Sequence, residues 1–344
     1  MIHVCYAIYD PNGTYSKFIG TSICSLFENT REAITIHILH DDTLNKENRQ
    51  NFIKLADKYH QTINFFPIEL DDTVNEFMKS FNQSPATLYR LNIGNVLPKS
   101  ISKVIYLDAD TVVNMDIKNL WEELDEEYIL GAVLDTGVAK LPNAWRFFPI
   151  IPQGYVKRED YFNAGVLIIN LNKLRNIDNF YLSTIELFRN NLKFFVGHDQ
   201  DLLNYLFSKQ YKKISNDYNR QLGMEKNMGL KNVGNAIYHY INHGLGINLE
   251  DEFDNLFWHY FIKTPWFNEK FMLVGFRNFQ LESLNRLSTN LSSLLKALYT
   301  RETRIFWSSQ KLFDSLMELL KQMKIYEGIW LANGEESIYE GGGY

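Results

Sequence analysis

Two aspartates one residue apart, Asp108-Ala109-Asp110, directly follow the apolar run Val104-Ile105-Tyr106-Leu107. In an extended chain, side chains i and i+2 point the same way, so both carboxylates share one side at the end of a strand. Hard oxygen ligands so placed suit Mn²⁺ or Mg²⁺, and a cation there can bridge a diphosphate and stabilise its departure. The motif is frequent by chance, and its bland alternative is a solvated turn; its place after a buried strand is what sets it apart. A second acidic pair, Asp199 and Asp201, lies in Gly197-His198-Asp199-Gln200-Asp201-Leu202-Leu203, where Leu202, Leu203 and Leu206 supply the apolar face of a helix. Asp199 in that helix's first turn is either chemistry or a carboxylate that complements the helix dipole. Phe162-Asn163-Ala164-Gly165 precedes an apolar strand. An Asn amide donates to and accepts from sugar hydroxyls, and glycine permits close backbone approach, though taken singly the segment reads as an ordinary turn.

The elements that must position these residues alternate. His3 to Ile8, Ile34 to Leu39, Ile63 to Phe66 and Val104 to Leu107 read as buried strands, separated by helical patterns over Ser16 to Phe27 and Asn45 to Tyr59. That βαβ order predicts an α/β fold with a mostly parallel central sheet covered on both faces, and chemistry beyond the carboxyl ends of its strands. Leu130 to Leu134 and Val166 to Asn170 are further strand candidates. Between them the Pro- and aromatic-rich stretch Leu141 to Tyr155 reads as a long loop over the site. After Phe271 the pattern becomes helical, Leu281 to Tyr299 and Ile305 to Ile325, which predicts an accessory region, residues 271–344, after a catalytic domain of residues 1–270.

Composition narrows the classes. The 344 residues are 45% hydrophobic and 22% charged with a net charge of −6, enough apolar material for a sizeable core and no overall basic face for a nucleic acid. Cys5 and Cys24 match no zinc or redox spacing and read as buried free thiols. No uncharged run of about 18 residues is present, nor a basic leader, so a cytoplasmic protein is expected.

With these pieces in this order, the chain resembles the retaining glycosyltransferases of family 8, which include glycogenin and the bacterial lipopolysaccharide galactosyl- and glucosyltransferases. The carriers are Tyr6-Ala7-Ile8-Tyr9-Asp10, Leu88-Tyr89-Arg90-Leu91, Tyr106-Leu107-Asp108-Ala109-Asp110, Tyr161-Phe162-Asn163-Ala164-Gly165 with the following Val166 to Leu171, and His198-Asp199-Gln200-Asp201, over roughly residues 1 to 270. The resemblance implies a GT-A type nucleotide-sugar-binding fold, a UDP-sugar donor, Mn²⁺ held by the Asp-x-Asp and a later histidine, and retention of anomeric configuration. Carried over by position, Ala7, Tyr9 and Asp10 hold the nucleoside, and Arg90, Asn163 and Ala164 the donor beside Asp108, Ala109 and Asp110. Asp199 and Gln200 flank the anomeric carbon. A glycan, glycoprotein or glycolipid acceptor follows, with a peripheral site at the inner membrane face or a partner glycosyltransferase met through the C-terminal helices.

The family's His-x-x-Gly-x-x-Lys-Pro-Trp is where the chain departs. His239 ends Ala236-Ile237-Tyr238-His239-Tyr240, similar to the family's Ile-His-Tyr, with no Lys-Pro-Trp at the right distance. His259 lies in Phe257-Trp258-His259-Tyr260-Phe261-Ile262-Lys263-Thr264-Pro265-Trp266, which resembles a separate downstream segment of many bacterial members. His239 is therefore preferred as the metal ligand, and His243 or Lys263 stands in for the missing diphosphate-binding lysine.

Two other readings compete. Asp108-Ala109-Asp110-Thr111-Val112 fits the start of haloacid-dehalogenase-type phosphatases, but there it follows the domain's first strand, and Asn163 to Gly165 would go unexplained. A catalytically silent family member is favoured by the lost Lys-Pro-Trp and opposed by intact Asp108, Asp110, Asp199 and Gln200.

Overall fold

The computed structural model describes residues 1–80, 83–241 and 251–267. The chain divides into Met1–Trp266 and Phe267–Tyr344, and all the strands and helices of the described residues lie in the first unit. The C-terminal helices expected over Leu281 to Tyr299 and Ile305 to Ile325, and His243, lie outside the described residues.

Strands β1 (Ile2–Ile8), β2 (Ile34–His40), β3 (Thr62–Pro67), β4 (Lys103–Leu107), β6 (Leu130–Leu134), β7 (Phe162–Asn170) and β8 (Tyr211–Lys213) form a seven-stranded sheet in the order β3-β2-β1-β4-β7-β6-β8. All the residues of β2 and six of the seven in β1 are buried, because helices cover both faces; hence their continuous apolar runs. Edge strand β3 is half-exposed and tolerates Pro67, whose missing N–H would break an interior ladder. Helices Ser16–Asn29 and Lys46–Lys58 make the first two crossovers, the second capped by the Asn45 side chain accepting from Asn48 N–H. The chain then returns to place β4 on the other side of β1, so the crevice between their carboxyl ends is the topological switch point.

Strand β7 is antiparallel to both β4 and β6. It begins at Phe162, so Asn163-Ala164-Gly165 lies inside the strand and not in a turn before it, a correction to the sequence reading. Reversed direction brings the start of β7 to the edge where the parallel strands end. There the β6–β7 ladder slips, from Ala132 opposite Leu167 to Leu134 opposite Phe162, which frees Asn163, Ala164 and Gly165 from pairing with β6.

A small second sheet, β5 (Thr111–Asn114), β9 (Arg220–Gln221) and β10 (Ala236–His239), sits beyond the Asp-x-Asp turn. Its register sets His239 opposite both Thr111 and Gln221. The 141–155 segment joins β6 to β7 on the site edge, with one short helical turn at Ala144–Phe147, and the Phe148 ring lies 5.2 Å from that of Tyr161. Cys5 and Cys24 are buried free thiols. Among the described residues no helix is long and apolar enough to cross a membrane.

Candidate active site

Asp108 leaves β4 with its N–H donating to Gly165 O at 2.8 Å, and Thr111 Oγ1 donates back to Asp108 O at 2.8 Å to close the turn. Its Oδ1 accepts from Arg90 Nη2 at 2.6 Å and Tyr106 Oη at 3.2 Å. Oδ2 is left facing His239, whose Nε2 is 3.8 Å away. Asp110 Oδ1 lies 3.3 Å from the same nitrogen, and Tyr240 N–H donates to Asp110 O at 2.8 Å, welding the turn to the end of β10. Ala109 between them is buried. Burial opposes the imidazolium of His239, but Asp110 and Asp108 outweigh it and raise its pKa; burial likewise opposes the Asp110 carboxylate, and His239 brings its pKa below the ordinary value.

The tautomer of His239 follows from a chain of amides. Asn163 Oδ1 accepts from Gly165 N–H at 2.9 Å, and its Nδ2 faces the Asp135 carboxylate at 3.3 Å, which fixes which end of the amide is oxygen. Asn219 Nδ2 must then be the end that donates to Asn163 Oδ1, at 2.8 Å, leaving Asn219 Oδ1 against His239 Nδ1 at 3.1 Å. A carboxamide oxygen only accepts, so Nδ1 carries a proton, and in the neutral ring it is the Nε2 lone pair that points between Asp108 and Asp110. Gly165 makes the room: a Cβ there would lie 2.2 Å from His239 Cε1 and 2.9 Å from Asp108 Oδ2. Among the described residues this is the group of three whose ligand atoms converge, all within 4.8 Å of one another. Two carboxylate oxygens and one imidazole nitrogen fit a divalent cation such as Mn²⁺. His259 is 58% exposed at its side chain and faces Glu28 and Lys263 in a surface ion cluster well outside this group.

Arg90 is the buried hub beside it. Its guanidinium holds Asp108, donates from Nη1 to Ala164 O, stacks over Tyr106 at 4.2 Å, and brings Nε to 3.1 Å from Asp199 Oδ2. The Nε–H is aimed at Thr87 O, so Asp199 Oδ2, buried, has an ionic neighbour but no hydrogen-bond donor among the described residues. Burial above all, with Asp108 and Asp201 adding to it against the pull of Arg90, pushes the Asp199 pKa up to about 7. Asp199 lies in the first turn of helix His198–Phe207. Gly197 is the N-cap of helix His198–Phe207, and its N–H goes to Asp201 Oδ2 at 2.7 Å. His198 opens the helix at φ +49, a left-handed conformation costing about 1–3 kcal/mol in a non-glycine residue. Gln200 is clamped at both ends: Oε1 accepts from Ala164 N–H at 3.0 Å, while Nε2 donates to Asp135 Oδ2 at 3.1 Å and Tyr161 Oη at 3.2 Å.

Ala7 and Tyr9 lie at the carboxyl end of β1, Ala7 buried and Tyr9 partly so, with Lys79 Nζ 5.7 Å from the Tyr9 ring centre. Asp10 has a scaffold role. Its carboxylate accepts from Tyr15 N–H, Ser16 N–H, Ser16 Oγ and Asn48 Nδ2, satisfying N–H groups at the start of helix Ser16–Asn29 from the turn before it.

A family model described as Glycosyl transferase family 8 matches residues 7–244. The chain belongs to glycosyltransferase family 8. Family membership makes it a glycosyltransferase and sets the phosphatase reading aside. A putative glycosyltransferase of Haemophilus influenzae is 32% identical over 260 residues, 73% of this chain and 72% of that protein. A lipopolysaccharide 1,2-glucosyltransferase of Escherichia coli is 32% identical over 216 residues, 60% of this chain and 59% of that protein. The solved structure of galactosyltransferase LgtC with donor and acceptor sugar analogs matches with a TM-score of 0.63 at 21% identity, covering 79% of this chain and 99% of that one, which shows a shared GT-A-like fold.

Sequence reasoning missed Asn219, Asp135 and Tyr161 as supports of the family 8 site. Tyr161 opens a carrier motif, which assigned it no role, while Asn219 and Asp135 belong to none; only the pairing of β9 with β10 and the burial of Asn219 reveal the first.

Proposed function

We propose that the enzyme transfers a hexose, glucose or galactose, from a UDP-sugar to a hydroxyl of a glycan, glycoprotein or glycolipid, with retention of configuration. The observation that carries this reading is the convergence of Asp108, Asp110 and His239 at the switch point, next to the buried Arg90 and Asp199. Asp108 Oδ2, Asp110 Oδ1 and His239 Nε2 would hold Mn²⁺ or Mg²⁺, which supplies positive charge against a departing diphosphate.

The chain's own residues do the rest. Arg90 orients Asp108 and keeps Asp199 beside it. Among the described residues Asp199 Oδ2 has no hydrogen-bond donor, and a sugar hydroxyl would supply one. Gln200, held by Ala164, Asp135 and Tyr161, presents a fixed dipole at the anomeric carbon, where positive charge develops. Asp199 and Gln200 offer no pair of carboxylates for a two-step displacement, so the acceptor oxygen enters on the face from which the diphosphate leaves. Residues 271–344 serve as an accessory region for docking to a membrane surface or partner.

Hydrolysis and transfer measured on a panel of UDP-sugars with Mn²⁺ test the reading. Turnover of one donor with an α-linked product supports it. Binding without turnover across the panel would favour a catalytically silent member instead.

A further inference from the structure

The segment Lys263 to Trp266, whose Lys263 bonds Glu28 and His259, is built into the molecule next to the turn after β1. Helix Glu252–Phe261 packs on helix Ser16–Asn29, with Phe257 6.0 Å from Phe18 and Tyr260 Oη bonded to Asn29 at 2.7 Å. Just beyond it the Trp266 indole packs against Gly20, where a Cβ would come within 2.3 Å of the ring, and meets Phe52 edge-on at 4.7 Å. Its Nε1–H donates to Asn48 Oδ1 at 2.7 Å.

Asn48 is buried, and its other end is committed. Nδ2 donates to Asp10 Oδ2 at 3.1 Å and to Gly13 O at 2.9 Å, the two ends of the turn after β1. With both amide hydrogens fixed on the turn, Oδ1 needs a donor from the opposite side, and an indole N–H is a donor only. Gly13 itself sits at φ +69, so the turn is held in a conformation that few other sequences relax into. Asp10 N–H, in addition, is tied to Thr43 Oγ1 at 2.8 Å.

We propose that Trp266 is a positioning residue for donor binding: through Asn48 it sets the shape of the Asp10 to Gly13 turn against which the nucleoside lies. The inference rests on the UDP-sugar reading of the β1 edge. It gives the downstream aromatic segment a purpose distinct from both metal binding and general packing.

Trp266→Phe keeps an aromatic ring on Gly20 and Phe52 and deletes only the N–H. Titration calorimetry should show UDP affinity in saturating Mn²⁺ lowered about five-fold, the scale of one lost hydrogen bond to a buried acceptor. Mn²⁺ affinity without nucleotide should stay at the wild-type value. Gly20→Ala, which dislodges the indole from the other side, should reproduce the same split. Wild-type UDP affinity in both folded variants would overturn the proposal alone, as would parallel losses of UDP and Mn²⁺ affinity. A wild-type chain that binds no UDP would overturn the donor reading and the proposal together. Should Trp266→Phe fail to fold, the Trp266 indole N–H resonance of wild-type protein carries the test: it should move as UDP is titrated, and a signal that does not move overturns the proposal.

Discussion

Asn219 Oδ1 lies 3.1 Å from His239 Nδ1, and this contact decides which imidazole nitrogen faces the two aspartates. Removing the oxygen frees the ring to take the other tautomer or rotate. Asn219→Ala should therefore weaken Mn²⁺ binding about 10- to 100-fold, the usual effect of losing the group that orients a ligating histidine. The ¹⁵N shifts of His239 in metal-free protein, taken at a pH where the ring is neutral, report the tautomer directly. An unchanged Nδ1–H form in the variant would remove Asn219 from this role.

Gly165 has no room for a methyl group, since its Cβ would meet His239 Cε1 at 2.2 Å and Asp108 Oδ2 at 2.9 Å. Both neighbours are the proposed ligands, so Gly165→Ala should abolish Mn²⁺-dependent transfer while leaving the sheet folded. Circular dichroism with a metal titration checks this. A variant that binds Mn²⁺ normally would mean that the ligands can retreat without loss.

The two candidate histidines separate cleanly by variant. His239→Ala and Asp110→Asn should each abolish Mn²⁺-dependent UDP binding, whereas His259→Ala, in its exposed cluster with Glu28 and Lys263, should leave it intact. Calorimetry on folded proteins ranks the three. The opposite order for the histidines would move the site.

Gln200→Ala should lower kcat by about one to three orders of magnitude, the range for losing a preorganised polar group, with donor affinity nearly unchanged. Its loss also releases Ala164 N–H, so Asp135 and Tyr161 variants should show weaker effects of the same kind. NMR assignment of the product linkage tests the stereochemistry: a β-linked product from an α-linked donor ends the retaining assignment.

Asp201 is fully buried, and burial pushes its pKa from 3.8 up to about 6 despite the donors Tyr161 and Gly197. The folded state then binds more protons than the unfolded one across that interval, so this group's contribution to stability falls as pH rises through it. Asp201→Asn should flatten the stability profile between about pH 4 and 6, as followed by urea unfolding at each pH. A slope equal to that of the wild type would show that another group titrates there.

The parallel half of the fold was legible because strands covered on both faces must be apolar throughout, as β1, β2 and β4 are, and because Asp108 and Asp110 follow such a run. The direction of β7 was not. Val166 to Asn170 reads the same either way, and the ladder slip that places Asn163 to Gly165 in the site depends on partners in β6 that no local pattern encodes. The family resemblance gave Asp10 a nucleoside-binding role; that Ser16 and Asn48 also bond its carboxylate is a contact made through the fold and carries no sequence signal. Asn219 carried no signal at all; neither neighbour, Tyr218 nor Arg220, marks it. His239 was preferred to His259 on motif distance, and the physical reason for its placement is the β5–β10 register, which sequence leaves unstated.

That register also has a kinetic meaning. Strand β10 joins β5 across a long span of chain, the sort of contact that forms late because its loop must first close. Until it docks, Asp108 and Asp110 lack the third ligand of the proposed site, so Mn²⁺ bound there would stabilise the finished small sheet. Added Mn²⁺ should accordingly slow amide hydrogen exchange in Thr111 to Asn114 and Ala236 to His239 by a larger factor than in β1 and β2, so that the proposed cation would act as a selective brake on the opening of the small sheet.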